Sequence, residues 1–198
     1  MVKKQSWVIG IDEVGRGPVA GPVAVCACAI PASDYKKNIW KGLTDSKKMT
    51  TNNRNLWYQE SLELKASGKI RFSIVYRSNI FIDRKGISLA LRECIASAIK
   101  NLKLNPKDCV VLLDGSLKAP KEYINQTTII KGDQKEKIIS FASVIAKVSR
   151  DKKMEIFSKK YPKYNWQKNK GYGTREHYKA IRAYGLTPLH RRTFLTKV

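Results

Sequence analysis

Two apolar runs near the start of the chain, joined by a glycine-rich turn, constrain its fold more than any other feature. Residues 6–14 have the pattern of a first β-strand, and residues 19–30 that of a second. Pro18 and Pro22 lie at the margins of the turn, where a missing backbone N–H is tolerable. The pattern therefore predicts that the chain begins with a β-sheet.

The rest of the chain alternates between strand-like and helix-like segments. Further strands are expected at 69–77, 110–113 and 127–131. Helices are expected at 52–66, 87–102, 134–160 and 174–184, and residues 31–50 are expected to form a loop. This order predicts an α/β fold, with a mixed five-stranded central sheet flanked by helices and a helical C-terminal part. We expect one domain over residues 1–198, with roughly 160–198 as a basic helical extension packed on it.

The charge of the chain indicates its partner. It carries 39 Lys and Arg against 16 Asp and Glu, a formal net charge of +23. A charge of this size favours a polyanionic partner, and nucleic acid is the commonest one. The alternatives are a solvated basic surface or a structural role of the kind that ribosomal proteins have.

Cysteine and histidine usage restricts the other possibilities. The four cysteines are Cys26, Cys28, Cys94 and Cys109, without a C-x-x-C pair. Cys26 and Cys28 lie on one face of a strand, as buried small hydrophobic residues in a reducing compartment. Without a signal peptide or an apolar run long enough to span a bilayer, we expect a cytoplasmic protein with no membrane partner. Only two histidines are present, which excludes zinc sites of the H-E-x-x-H type.

Carboxylates follow three of the expected strands, although the chain has few acids. Asp12 and Glu13 end the first, Asp114 follows residues 110–113, and Asp133 follows 127–131. If these strands are neighbours, the four carboxylates converge, and their repulsion favours a bound cation. Hard oxygen ligands suit Mg²⁺ or Mn²⁺, and two such ions about 4 Å apart assist phosphoryl displacement. In a basic protein, this combination predicts a nuclease.

Each acid also has a purely structural interpretation. Asp114-Gly115 is typical of a turn, and Asp133 followed by Glu136 is typical of a helix N-cap with a partial capping box. Asp12 and Glu13 point to opposite faces of a regular strand, so Glu13 reaches the site only if the strand bends or ends there. The four acids together with the glycine turn favour the metal site.

Motifs along nearly the whole chain resemble those of one family, ribonuclease HII of the type 2 ribonucleases H. The matching segments, in order, are D-E-V-G-R-G at 12–17, T-D-S-K-K at 44–48, L-D-G at 113–115, K-G-D at 131–133, A-S-V-I-A-K-V-S-R-D at 142–151, G-Y-G-T at 171–174 with His177, and H-R-R at 190–192. The ending usually carries Ser where Thr193 stands, and no extended tail with a clamp-binding motif is seen.

The resemblance implies a ribonuclease H-like fold and an endonuclease that nicks RNA in RNA–DNA hybrids. It also implies cutting on the 5′ side of a ribonucleotide embedded in duplex DNA, leaving 3′-hydroxyl and 5′-phosphate ends, in RNA primer removal and ribonucleotide excision repair. Two Mg²⁺ or Mn²⁺ ions would be bound by Asp12, Glu13, Asp114 and Asp133.

The resemblance also implies a set of substrate-binding residues. Gly15, Arg16 and Gly17 would read the 2′-hydroxyl and its phosphate, because glycine lets the backbone approach a sugar closely. Tyr172 would stack on the sugar that follows the ribonucleotide. The further candidates are Lys47, Arg175 and Arg191, with Lys147 and Arg150 either packing or contacting phosphate and Asp151 structural.

Three competing hypotheses accompany this one. A ribonuclease HIII-like enzyme shares the acids, but it usually has Lys in the glycine turn, where this chain has Arg16. A catalytically silent nucleic-acid-binding protein would need no clustered acids, and a ribosome-associated protein would bind structured RNA. We expect the enzyme to act as a monomer.

Overall fold

One mixed sheet forms the centre of the molecule in the computed structural model, which describes residues 6–37, 40, 42–43 and 49–196. Its strands are β1 (Trp7–Val14), β2 (Val23–Pro31), β3 (Arg71–Arg77), β4 (Cys109–Asp114) and β5 (Gln126–Ile129). Their order is β3-β2-β1-β4-β5. The first three strands pair antiparallel, whereas β4 runs parallel to both β1 and β5. The predicted mixed five-stranded sheet is confirmed.

The parallel pairing places the carboxyl ends of β1, β4 and β5 at one edge of the sheet. Ile11 is paired with Leu113, so the next residues along each strand, Asp12 and Asp114, lie side by side. Asp114 is in turn paired with Ile129, four residues before Asp133. Ligand sites form at such edges because strand ends of several segments meet there.

Helices cover both faces of the sheet. Their bounds are α1 (Ala32–Tyr35), α2 (Thr51–Ala66), α3 (Asn79–Lys85), α4 (Ile87–Lys100), α5 (Gly132–Lys135), α6 (Lys137–Lys160), α7 (Trp166–Asn169) and α8 (Arg175–Tyr184). The apolar face of α4 packs on the side of the sheet that Ile9 and Ile11 face. Helix α6 packs on the opposite side with Val8, Cys26 and Cys28.

A close approach fixes α6 against the central strand. A Cβ at Gly10 would overlap the Ile138 carbonyl, so only glycine permits α6 to begin this near to β1. The side chain of Asp12 lies on the same side of β1 as Gly10, because side chains alternate along a strand. The start of α6 is therefore held over the strand that carries the first acid.

The structure changes several predicted boundaries. The second strand begins at Val23 and not at residue 19, because the backbone N–H groups of Val19 and Ala20 bond to the Gly171 carbonyl. The long helix predicted at 134–160 is two helices, α5 and α6, which Glu136 separates. Helix α3 was not predicted, and α1 lies in the segment expected to be a loop.

A third apolar cluster joins the C-terminal segment to the rest. Trp166, Ile181 and Leu195 pack there against Val19 and Met154. All four cysteines are buried and free, as expected for small hydrophobic residues. Within the part of the chain that the structure describes, no helix is both long and apolar enough to cross a membrane.

Candidate active site

Three of the four predicted carboxylates lie around one cleft of about 410 Å³ at the carboxyl edge of the sheet. Asp12, Glu13 and Asp114 line it. Asp12 and Glu13 both line it although they are adjacent in β1, which ends one residue later at Val14. The other lining residues are Val14, Gly15, Arg16, Gly17, Arg54, Ser143, Lys147 and Tyr172.

The electrostatics of Asp12 suit a cation. Its carboxyl group is only 5% exposed, and this burial raises its pKa well above the usual range. The neighbouring Glu13 raises this pKa further, and Asp114 adds to the effect. Hydrogen bonds from the Ser143 side chain and the Glu13 backbone N–H act in the opposite direction. A divalent cation would remove the repulsion that these acids exert on one another.

Asp133 is adjacent to this cleft. It is 4% exposed on α5, next to Gly132, whose N–H donates to Asp114 Oδ1 at 2.6 Å. The N-cap interpretation is wrong, because the residue that caps α5 is Lys131 and the one that caps α6 is Glu136. The turn interpretation of Asp114-Gly115 holds beside the functional one, since Gly115 has a φ of +64°.

The carboxylates of the cleft suit a hard divalent ion, both in their chemistry and in their position at the strand ends. Carboxylate oxygens are the ligands that Mg²⁺ and Mn²⁺ prefer. Among the described residues, no three His, Cys, Asp or Glu side chains are placed so that together they could hold a metal ion. Two of the candidate oxygens instead accept backbone hydrogen bonds, Asp12 Oδ1 from Glu13 N–H and Asp114 Oδ1 from Gly132 N–H.

The glycine turn forms one wall of the cleft. Gly15 is buried with a φ of +85°, and Arg150 fills the space that a Cβ would need. Arg16 and Gly17 are exposed. Arg16 Nη1 lies 4.0 Å from Glu13 Oε1, so the turn and the acids adjoin.

Tyr172 faces the turn from the opposite wall. It is 42% exposed, and its ring comes within 4.0 Å of the position of a Cβ at Gly17. A buried network holds its backbone, because the carbonyl of Tyr172 accepts from His177 Nδ1 at 2.8 Å. The Nε2 atom of His177 lies 2.9 Å from Trp166 Nε1 and 3.1 Å from His190 Nε2.

Arg191 requires a correction. We expected this side chain to bind substrate, but it is fully buried and donates to the carbonyls of Gly15, Arg16 and Gly21. Arg150 is also fully buried and donates to the carbonyls of Pro22, Lys170 and Ala20. In this structure both guanidinium groups hold the glycine turn from inside the protein and do not face the cleft.

The remaining cationic candidates have different positions. Lys147 lines the cleft and forms an ion pair with Asp151 at 2.8 Å, which fits the structural role expected for Asp151. Arg175 is exposed on the first turn of α8. Among the described residues, the lining of the cleft includes neither Asp133 nor Arg175. Lys47, with the whole 44–48 segment, lies outside the described residues.

Two further grooves adjoin the cleft. One, of about 620 Å³, shares Arg54 and Lys147 with it and is also lined by Lys152, Lys168 and Lys170, together with Asp151 and Glu155. The other, of about 570 Å³, shares Arg16, is mainly apolar, and has cationic side chains in Arg92, Lys118 and Lys121.

Comparison with known proteins identifies the family. A model of the family Ribonuclease HII matches residues 9–197. The chain belongs to this family. Relatives named Ribonuclease HII include one from Caldicellulosiruptor bescii, 40% identical over 97% of this chain and 88% of its own length. Another, from Bacillus cytotoxicus, is 43% identical over 96% of this chain and 68% of its own length.

Solved structures agree on the fold. One described as the PCNA:RNase HII complex from Archaeoglobus fulgidus has a TM-score of 0.74, 25% identity and 93% coverage of both chains. The ribonuclease H2 from Pyrococcus horikoshii has a TM-score of 0.75 at 24% identity, covering 94% of this chain and 93% of its own. A ribonuclease HIII described in complex with Mn²⁺ matches at 17% identity, which shows the fold alone.

Membership of the ribonuclease HII family gives the activity. The chain is a ribonuclease H, an endonuclease dependent on a divalent metal, and its substrate is an RNA–DNA hybrid. The family match favours neither the ribonuclease HIII-like alternative nor a silent binding protein.

Two residues of this ribonuclease HII cleft were not singled out from the sequence. Ser143, Lys147 and Arg150 recur at four- and three-residue spacing on α6, and this polar stripe in the mostly apolar first half of the helix is a signal that indicates Ser143. Arg54 gives no comparable signal, because α2 reaches the cleft only through its packing on α6.

Proposed function

We propose that this chain cuts the RNA strand of hybrids and nicks duplex DNA on the 5′ side of an embedded ribonucleotide, leaving 3′-hydroxyl and 5′-phosphate ends. One observation carries the proposal: the acids at the parallel strand ends and the glycine turn line the same cleft, with Tyr172 opposite the turn. A cleft that combines these parts can place one ribose beside the reacting phosphate. Its cellular roles would be primer removal and ribonucleotide excision repair.

Asp12, Glu13, Asp114 and Asp133 would hold two divalent ions, Mg²⁺ or Mn²⁺. Ions held there would supply activation of the attacking water and neutralisation of charge on the phosphate. The chain's own part is to fix the oxygen ligands: the Ser143 side chain and the Glu13 N–H orient Asp12, and the Gly132 N–H orients Asp114. Burial of Asp12 keeps its carboxyl group in a poorly solvated place, where a cation is most strongly favoured.

The substrate would lie along the cleft and its two adjoining grooves. Gly15, Arg16 and Gly17 would contact the ribose and its phosphate, and the exposed ring of Tyr172 would stack on the next sugar. The lysines and arginines toward both ends would track the phosphates without reading sequence. Arg175 would extend this contact beyond the cleft, and Lys47 would be a further substrate contact.

The organisation of the molecule supports three further proposals. Residues 160–198 form part of a single domain, because Trp166, Ile181 and Leu195 share an apolar cluster with Val19. The enzyme acts as a monomer, a state that sedimentation would test. It works in the cytoplasm, in keeping with its four buried free cysteines.

The test uses a labelled DNA duplex with one ribonucleotide, incubated with Mg²⁺, Mn²⁺ or chelator beside an all-DNA duplex. We expect one nick on the 5′ side of the ribonucleotide in the presence of metal and none on the all-DNA duplex. Cutting on the 3′ side, or equal cutting of both duplexes, would refute the proposal.

Asp12→Asn tests the metal ligands. The change should lower the cleavage rate by at least about 100-fold, because it removes a ligand that is central to the cleft. Hybrid binding measured in chelator should stay within a few fold of wild type. Asp108→Asn is the matched control, since Asp108 precedes β4 at the opposite edge of the sheet and should leave the rate unchanged. Wild-type cleavage by Asp12→Asn would overturn the assignment.

A further inference from the structure

Two buried arginines surround the glycine turn, and their contacts differ. Arg191 donates to Gly15 O from Nη2 at 2.6 Å, to Arg16 O from Nη1 at 2.9 Å and to Gly21 O from Nε at 2.9 Å. Arg150 donates only to carbonyls beyond these first two residues of the turn. Arg191 alone therefore fixes the two peptide units that face the cleft.

The direction of those peptide units follows from covalent geometry. Among the described residues every peptide bond is trans, and in a trans peptide the C=O and the following N–H point in opposite directions. Because Gly15 O and Arg16 O point inward to Arg191, the N–H groups of Arg16 and Gly17 point outward. Both residues line the cleft and are exposed.

These two donors are available to a ligand. Within the described part of the chain, neither the Arg16 N–H nor the Gly17 N–H donates a hydrogen bond to a protein acceptor. The next residue, Pro18, has no N–H, so the series of outward donors consists of these two. Successive N–H groups on one side of a turn form a site for an oxygen acceptor.

Arg191 is itself rigidly placed. Its backbone N–H donates to Val19 O at 2.8 Å, and its neighbour His190 forms a β-bridge with Ala20. Asp83 accepts the N–H groups of Arg192 and Thr193, which anchors the segment from the other side. Fixed on both sides, the guanidinium can impose one orientation on the turn.

We propose that Arg191 is a positioning residue for ribose recognition, which aims the Arg16 and Gly17 N–H groups at the 2′-oxygen of the ribonucleotide. The inference rests on the proposed function. Arg191 does not touch substrate; it acts through the turn. A lysine in its place offers one point charge and cannot reproduce the planar fork that spans two carbonyls.

The experiment compares Arg191→Lys with the matched control Arg150→Lys, both of which keep a long basic side chain at the position. Two affinities are measured by anisotropy in chelator, one for a duplex with one ribonucleotide and one for an all-DNA duplex of the same sequence. The first affinity is divided by the second to give a ratio. A loss of folded protein weakens both affinities alike and leaves this ratio unchanged. We expect Arg191→Lys to lower this ratio by about threefold to tenfold and Arg150→Lys to leave it unchanged.

Two results, obtained with folded variants, would overturn the inference. These are an unchanged ratio in Arg191→Lys and an equal loss of ratio in both variants. A wild-type ratio of one would instead refute the proposed function, so the two failures are distinguishable.

A measurement on the unaltered chain covers the case in which Arg191→Lys does not fold. In ¹⁵N-labelled protein with chelator, the amide resonances of Arg16 and Gly17 should shift with the ribonucleotide duplex and much less with the all-DNA duplex. Equal shifts with both duplexes would also overturn the inference.

Discussion

At the scale of single residues, the site depends on what each backbone position permits. Burial and the neighbouring Glu13 disfavour the charged form of Asp12, and hydrogen bonds from Ser143 and the Glu13 N–H offset this in part. Gly15 occupies a positive φ where Arg150 leaves no room for a Cβ. A strained or crowded position that only glycine tolerates is the physical reason for the first glycine of the turn.

Gly15→Ala tests this crowding. We expect the backbone strain of a positive φ to cost about 1–3 kcal/mol of unfolding free energy, and the overlap with Arg150 to add about 1–3 kcal/mol. Gly185→Ala is the matched control, since Gly185 has a φ of +75° and no atom within 4 Å of the added Cβ. Urea unfolding measures both, and equal losses would show that the contact with Arg150 is unimportant.

At the scale of elements, α6 and α8 serve the cleft in different ways. Helix α6 begins against β1 and carries Ser143 and Lys147 into the cleft and Arg150 beneath the turn. Helix α8 buries His177 and Ile181 and exposes Arg175, Lys179 and Arg182 at helical spacing. These three residues form a basic stripe that faces solvent, and its contact with substrate is a prediction.

Replacement of this stripe by Gln at all three positions should weaken duplex binding and reduce its salt dependence. The slope of log K against log [salt] should fall by about 0.9 for every phosphate that the helix no longer binds. The matched control replaces three exposed lysines at the opposite edge of the sheet, namely Lys100, Lys103 and Lys107. If both triple variants change the slope equally, only net charge matters and the stripe does not bind the duplex.

The two buried histidines beneath the Tyr172 loop should make stability depend on pH. Burial lowers the pKa of both, and burial together with the neighbouring His177 lowers that of His190 to about 4. Below about pH 6.5 the unfolded chain binds more protons than the folded one, so the unfolding free energy falls as the pH falls from 6.5 toward 4. His190 alone should cost about 2 kcal/mol at pH 5 relative to pH 7.5.

Urea unfolding of the wild type and of His190→Gln at several pH values checks this expectation, because the glutamine cannot gain a proton. The variant starts from lower stability because it disturbs the Thr187 and His177 contacts, so the slopes are compared and not the absolute values. A shallower slope in the variant supports the buried pair as the cause. Identical slopes would assign the pH dependence to other groups.

At the scale of the whole molecule, the acids and the cations have separate tasks. The predicted metal-binding acids Asp12, Glu13 and Asp114 line the cleft, and the two adjoining grooves add cationic side chains such as Lys118 and Lys168. With a net charge of +23, electrostatic attraction to phosphates supplies affinity without distinguishing RNA from DNA. Discrimination must come from the few groups of the cleft.

The affinities for hybrid and for all-DNA duplex should therefore fall at the same rate as the salt concentration rises. The two plots of log K against log [salt] should run parallel, separated by a constant difference that the ribose contacts provide. Anisotropy titrations in chelator between low and physiological salt measure both lines. Lines that converge at high salt would mean that preference for the hybrid is itself a matter of charge.

The sequence by itself determined the class of the fold, the acids at the strand ends and the glycine turn. Alternating and apolar patterns are local, and so are turn residues, which is why strands and most helices were found within a few residues of their bounds. The motifs predicted the family, because they match its motifs in the same order along nearly the whole chain.

Only the tertiary structure decided what lies together. Nothing local shows that β1, β4 and β5 are parallel neighbours, that Arg54 reaches the cleft, or that the cleft shares Lys147 with a neighbouring groove. Arg191 is the clearest case, because an arginine near the end of a basic chain has the pattern of a phosphate contact. Its burial under Gly15 and Arg16 depends on contacts more than 170 residues apart, which pattern alone does not encode.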